Sequence, residues 1–405
     1  MARIEAVSPG SVILFMTICP PIALSIWLSE AFVSPDGWAA LRLGTDFVPM
    51  WLSGDLYRDG RAAMLFDSAA MAERQAAYTS ADGVLLWHYP PTYFLLVQPL
   101  HLLPFHAALA VFSAFSVVIW VVVSAFYRPV RGWIGILFLY ASPVVAVCLL
   151  QGQNGLMTAG LLGAALLARA AGRRWLAALM IALLLTKPHL GLAVSIVLIA
   201  ARDYRFIGSI AMFGLAFIGI TFVTFGTDLW LAFFRNGETI RVAMTSGDLW
   251  SQQPSIYALL SLLGAEHNLS LTGQAVISLA AATWLWRVWR SACPATLRGS
   301  ALLSATLLLT PFCFRYDMGV SLLGLALLTR HLADQGWLRG DRVVLAGLWI
   351  APAIMPAIAD ATSIQIGTVA LLVQSLLIQR EITRHGAAAD GSNEKGGACD
   401  PPFPQ

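Results

Sequence analysis

Lysine is nearly missing: among 405 residues only Lys187 and Lys395 carry it. Neither stands in the GK[ST] context that a nucleotide-phosphate loop needs, so ATP hydrolysis on this chain is excluded. Charge of either sign is scarce, at 12% of residues where about 25% is usual. The net +3 is dispersed in ones and twos between apolar runs, leaving no basic face to follow a phosphodiester backbone, and nucleic acid is not an expected partner. Five cysteines form neither a disulfide framework nor a zinc spacing. The seven histidines make no HExxH pair and there is no GxSxG elbow, so zinc proteolysis and serine hydrolysis lack support. What fills the chain instead is hydrophobic: 58% of residues, with a mean hydropathy of +0.73. So much apolar surface cannot be buried in a water-soluble fold of this size, and lipid is its natural solvent.

Apolar runs fall at about 10–33, 105–127, 131–150, 154–170, 174–186, 188–201, 206–225, 270–290, 299–313, 317–331, 338–358 and 362–380. They predict an all-α polytopic bundle of about twelve spans, the shorter ones broken or protein-buried. Pro143, Pro188, Pro311, Pro352 and Pro356 mark the expected breaks. The first run follows Arg3, exceeds a signal-peptide core and has no small-residue cleavage site, so it reads as a retained span. Arginines recur at every second connection, which places those connections and both termini in the cytoplasm. Two outer connections remain, about 34–104 and 226–269, and within the first of them 89–104 is too short and proline-bounded to cross, so it reads as re-entrant or interfacial. Residues 1–385 form one predicted membrane domain, and 386–405 read as a disordered cytoplasmic tail.

Polar chemistry gathers at the outer face. Gly44-Thr45-Asp46-Phe47 with Trp51 begins it, then Gly60, Phe66-Asp67, His88-Tyr89-Pro90-Pro91 and Pro99-Leu100 with Leu103-Pro104. Further on come Gly152-Gln153-Asn154, Thr186-Lys187-Pro188-His189-Leu190-Gly191, Gln252-Gln253-Pro254-Ser255, Thr310-Pro311 and Arg315-Tyr316-Asp317. In order and placement, over about 40–330, these elements resemble glycosyltransferase family 87 of the GT-C superfamily. The resemblance implies a GT-C bundle in the inner membrane that moves a hexose, mannose being the expected sugar, from a polyprenyl-phosphate donor to a lipid or glycan acceptor on the outer side. It implies no nucleotide at that step, and no cofactor or metal is expected.

A carboxylate where the chain leaves the bilayer can take the proton of an acceptor hydroxyl, and Asp46 is the expected catalytic base. The departing lipid phosphate needs fixed positive charge, for which Lys187, Arg315 and Arg42 are the leading candidates, with Arg235 and Arg241 behind them. Tyr89, His88, His189, Gln153, Gln253 and Asp317 complete the expected substrate-binding set. One base and one displacement would invert the anomeric centre.

Plainer readings stand beside these. Asp46 follows Arg42 at helical spacing and fits an exposed pair; Lys187 fits a snorkelling side chain; Arg315 and Asp317 fit a mutual structural pair. The histidines fit hydrogen-bonded turns, Gln151, Gln153 and Asn154 fit helix ends, and Trp51, Trp87, Trp230 and Trp250 fit interfacial anchors. A twelve-span secondary transporter and a catalytically silent assembly subunit are the competing functions, although no repeated halves are visible in the sequence.

Overall fold

The computed structural model describes residues 43–75, 78, 85 and 87–393. Arg42, the first apolar run and the last twelve residues lie outside that set. Backbone groups left unpaired in lipid cost several kcal/mol each, so apolar runs of this kind fold as helices that satisfy themselves. Accordingly, no strand occurs among the described residues.

Two helices follow the Asp46 segment, α1 (Val48–Arg58) and α2 (Ser68–Gln75). Then come α3 (Pro91–Val97), α4 (Phe105–Ser124), α5 (Trp133–Tyr140), α6 (Pro143–Gln151), α7 (Gly155–Ala170), α8 (Arg174–Leu183) and α9 (Leu192–Ala201). The chain continues through α10 (Tyr204–Arg235), α11 (Gly237–Met244), α12 (Ile256–Leu262), α13 (His267–Arg290) and α14 (Ala295–Leu308). It closes with α15 (Met318–Gln335), α16 (Asp341–Thr362) and α17 (Ile366–Asn393). The last helix continues eight residues into the stretch read as tail. The three alanines at 387–389 are strong helix formers and favour that extension.

Among the described residues, four helices are long and apolar enough to cross a membrane: α4 extended to Tyr127, α10, α13 and α16. A fifth crossing is made if α5 and α6, bent by 42° at Pro143, count as one. Of the other described apolar runs, those of α7, α8, α9 and α14 form shorter helices, stopped early by polar or proline-bearing breaks, whereas α15 and α17, at 18 and 28 residues, are long enough but too polar over their length to join the four. The hairpin of α8 and α9 turns through short 3-10 segments on either side of Lys187, and the chain between α14 and α15 opens over Thr310–Phe314. In α14, twelve of fourteen residues are buried, and Gly299, Ser300, Ala301, Ser304 and Ala305 let neighbouring helices approach closely.

Proline does not break every helix. Pro352 and Pro356 sit inside a continuous α16, with Leu348, Trp349, Pro352 and Met355 buried against neighbours. Membrane helices tolerate such residues where packed surroundings re-satisfy the freed carbonyls. In α10 the interruption is instead at Gly226, whose φ of 75° and ψ of −179° bend the helix where the expected span ends. Helix α3, at seven residues, rises only about 10 Å and passes into a 3-10 segment, Gln98–Leu102, so within 89–104 it is too short by itself to span a bilayer.

Candidate active site

Two close backbone approaches assemble the site. Gly44 (φ 76°) and Gly152 (φ 69°) both occupy the left-handed region that glycine tolerates, and Gly44 N–H donates to Leu150 O at 2.8 Å. A Cβ on Gly152 would lie 2.7 Å from Phe47 Cβ and 3.2 Å from Gly44 Cα, so no larger residue allows the two turns to touch. Gly155, at the start of α7, does the same for the break after α14: a Cβ there would be 2.0 Å from the Tyr316 carbonyl oxygen. The segments carrying Asp46, Gln153 and Asp317 are thereby brought to one place from distant parts of the chain.

Asp46 lies in a 3-10 turn, Thr45–Phe47, anchored by Phe47, which is fully buried with ring centroids 5.9 Å from Phe105 and 5.1 Å from Phe112. The half-buried Asp46 carboxylate accepts a hydrogen bond from Gln153 Nε2 at 2.9 Å. Gln153 Oε1 in turn accepts from Tyr89 OH at 3.2 Å and from the Asn154 backbone N–H at 3.3 Å. Burial pushes the Asp46 carboxyl above the usual carboxylate range, and the Gln153 hydrogen bond and the charges of Arg315 and Lys187 pull it part of the way back. Tyr89 is driven well above an ordinary phenol, chiefly by burial, with Tyr93, Asp317 and Asp46 adding to the shift.

Lys187 is buried, and its Nζ lies 2.6 Å from Oδ1 of the fully buried Asp317. The ammonium also sits 4.5 Å from the Tyr316 ring centroid, a cation–π contact, while Asp317 Oδ2 accepts from Phe314 N–H at 3.1 Å. Lys187 therefore does not snorkel, and Asp317 pairs with it across 130 residues of sequence. A cavity of about 110 Å³ opens beside the pair, lined by His88, Tyr89, His189, Phe233, Phe314 and Tyr316 among others. His189 Nε2 is buried there with no hydrogen-bond partner among the described residues. Asp46 is joined to this wall through Gln153 and Tyr89.

The expected residues thus divide. Asp46, Gln153, Tyr89, His88, Lys187, His189 and Asp317 come together, and Arg315 acts electrostatically on Asp46. Gln153 accepts the Asn154 N–H at the start of α7 and also bridges Asp46 and Tyr89. Gln253 is fully buried in the turn before α12, beside Pro254, whose carbonyl meets Cys313 Sγ at 3.5 Å, and it does not line the cavity. Arg241 is paired with Glu238 at the surface and Arg235 is exposed. Trp51, Trp87, Trp230 and Trp250 each donate the indole N–H internally, to Leu103 O, Tyr89 O, Thr221 Oγ1 and Thr245 O. Sequence reasoning missed Phe233 and Phe314, which carry no signal beyond hydrophobicity. No group of three or more His, Cys, Asp or Glu side chains suited to a metal occurs among the described residues.

The model of the family described as Glycosyltransferase family 87 matches residues 87–311, more than half of the chain. Nothing among curated proteins matches the chain, and nothing among solved structures does.

Proposed function

Because the chain belongs to glycosyltransferase family 87, we propose that it transfers a hexose, mannose being the leading sugar, from a polyprenyl-phosphate carrier to a lipid or glycan acceptor. The reaction runs at the outer face of the inner membrane in a GT-C bundle whose termini are cytoplasmic. Family membership argues against the transporter reading.

The observation that carries this proposal is the meeting of two polar systems at one cavity: the Asp46–Gln153–Tyr89 chain and the Lys187–Asp317 pair. Asp46 takes the proton of the acceptor hydroxyl. The acceptor oxygen bonds to the anomeric carbon as that carbon's bond to the phosphate oxygen breaks, and the bonding pair leaves with the polyprenyl phosphate. With one displacement the configuration inverts. A base whose affinity for protons is raised by burial is better matched to this task than an ordinary aspartate.

Lys187 and Arg315 face the charge that collects on the leaving phosphate. Of the ammonium's three donors, one goes to Asp317, which holds it in place. At about 110 Å³ the cavity is well below the roughly 300–1,000 Å³ of a complete small-molecule site, so it suits the phosphoryl end of the donor. His88 and His189 offer ring nitrogens at its edge.

Membranes containing the parent or Asp46→Asn, assayed with radiolabelled polyprenyl-phosphate sugars at matched expression, test the reading. A loss of about 10² to 10⁴ in transfer rate is expected. Parental transfer by Asp46→Asn would remove Asp46 as the base.

A further inference from the structure

A second and larger cavity lies at the opposite end of the helices that form the site. Helix α7 begins beside Asn154 and the site and, over sixteen residues, rises about 24 Å to Ala170. Helices α8 and α9 likewise have their near ends, Leu183 and Leu192, joined to Lys187 by the short 3-10 segments and their far ends at Arg174 and Ala201. Between these far ends is a space of about 520 Å³, closed on other sides by α10, α13, α14 and α15. Its volume falls in the range of roughly 300–1,000 Å³ usual for ligand sites.

The lining has two characters. Leu162, Ala165 and Leu166 of α7, with Val194, Val197 and Leu198 of α9, supply an apolar wall, and four arginines, Arg169, Arg202, Arg298 and Arg330, stand among the lining residues. Asp203 is the one acidic residue among the described lining residues, so these carry an excess of three positive charges. Arg169 is paired with Asp203 at 2.8 Å, and Arg330 is braced by the Phe126 and Arg128 carbonyls. Arg298 is only 7% exposed and donates to the Ser291 carbonyl.

We propose that this cavity binds an anionic phospholipid of the leaflet opposite the candidate site, its phosphate against the arginines and one acyl chain along α7 and α9. The planar guanidinium matches phosphate oxygens in pairs, and basic pockets between membrane helices are suited to such headgroups. The occupant combines charge and chain because the lining does. The proposal is independent of the transfer reaction and is tested without an activity assay.

The full chain, purified in detergent micelles doped with phosphatidylglycerol or phosphatidylcholine, is examined by native mass spectrometry for retained lipid. Phosphatidylglycerol is expected to be retained preferentially. Arg202 adopts a left-handed backbone (φ 56°) that asparagine accepts, so Arg202→Asn removes one charge without strain. It should weaken retention about fivefold, the contribution of one basic residue near an anionic leaflet. Arg205 is exposed nearby but does not line the cavity, so Arg205→Gln should retain lipid as the parent does. Equal retention of the two phospholipids, or equal losses in the two variants, would overturn the proposal. So would displacement by inorganic phosphate, which would identify a free-anion site, or preferential displacement by polyprenyl monophosphate.

Discussion

The contact between Lys187 and Asp317 gives the sharpest test of how the site is built. Both side chains are almost completely buried, at 4% and 0% exposed, and their charged atoms are 2.6 Å apart. Each ion on its own would be a charge in a poorly solvated place. Removing one partner of such a pair typically costs about 3–5 kcal/mol, because the other is left uncompensated, whereas replacing both can be nearly neutral. Lys187→Met is therefore expected to lower unfolding free energy in detergent by about that amount. Asp317→Asn should do the same, and it also weakens the acceptor that holds Phe314 N–H. The double variant Lys187→Met/Asp317→Asn should recover much of the loss. Chemical denaturation of the four proteins, followed by tryptophan fluorescence, measures the coupling. Additive single losses, or single losses under about 1 kcal/mol, the scale of exposed pairs, would show that these charges are hydrated and that the buried pair is not the structural centre of the site. If Lys187 also faces the donor phosphate, transfer stays lost in the double variant despite regained stability.

Three further outcomes follow. Gly155→Ala, a change that favours an ordinary helix by about 1 kcal/mol, should instead destabilise, because the new Cβ would meet the Tyr316 oxygen at 2.0 Å; a stability equal to or above the parent's would contradict the close approach. Transfer should fail as pH falls through the raised Asp46 pKa, since a base must be unprotonated, and the acidic limb of the rate profile should lie above that of an ordinary aspartate. Gln153→Leu removes a hydrogen bond that favours the charged carboxylate, so the same limb should move to still higher pH, with activity returning as pH is raised; an unmoved limb would show that another group governs it.

Much of the site can be read from residue order, because Asp46, Tyr89, Gln153, Lys187 and Asp317 all stand in short polar segments that interrupt apolar runs. Such interruptions are visible in one dimension. Their pairing is not: Gln153 reaches Asp46 across 107 residues and Lys187 reaches Asp317 across 130, and nothing local marks either contact. Arg315 and Asp317 are close enough in sequence to suggest each other as partners, yet the buried cation that Asp317 meets belongs to another hairpin. Helical character throughout follows from hydropathy alone. Span count does not, since α7 to α9 and α14 gain burial from neighbours and so need not be long. Proline was an unreliable guide for a related reason: Pro143 bends the chain, whereas Pro352 and Pro356 lie within a helix whose buried face stays packed.

The short helices have a consequence for how the protein is made. An isolated segment of ten to sixteen apolar residues falls short of the roughly 20 that partition stably into a bilayer, so α7, α8 and α9 are poor candidates for one-at-a-time insertion. In the sequence they are flanked by two full-length helices, α4 before and α10 after, and in the fold α4 packs on α7 and α10 on α8. Biogenesis must then be collective over this stretch: the flanking pair supplies the membrane anchorage, and the segments that carry Gln153 and Lys187 are admitted as its guests.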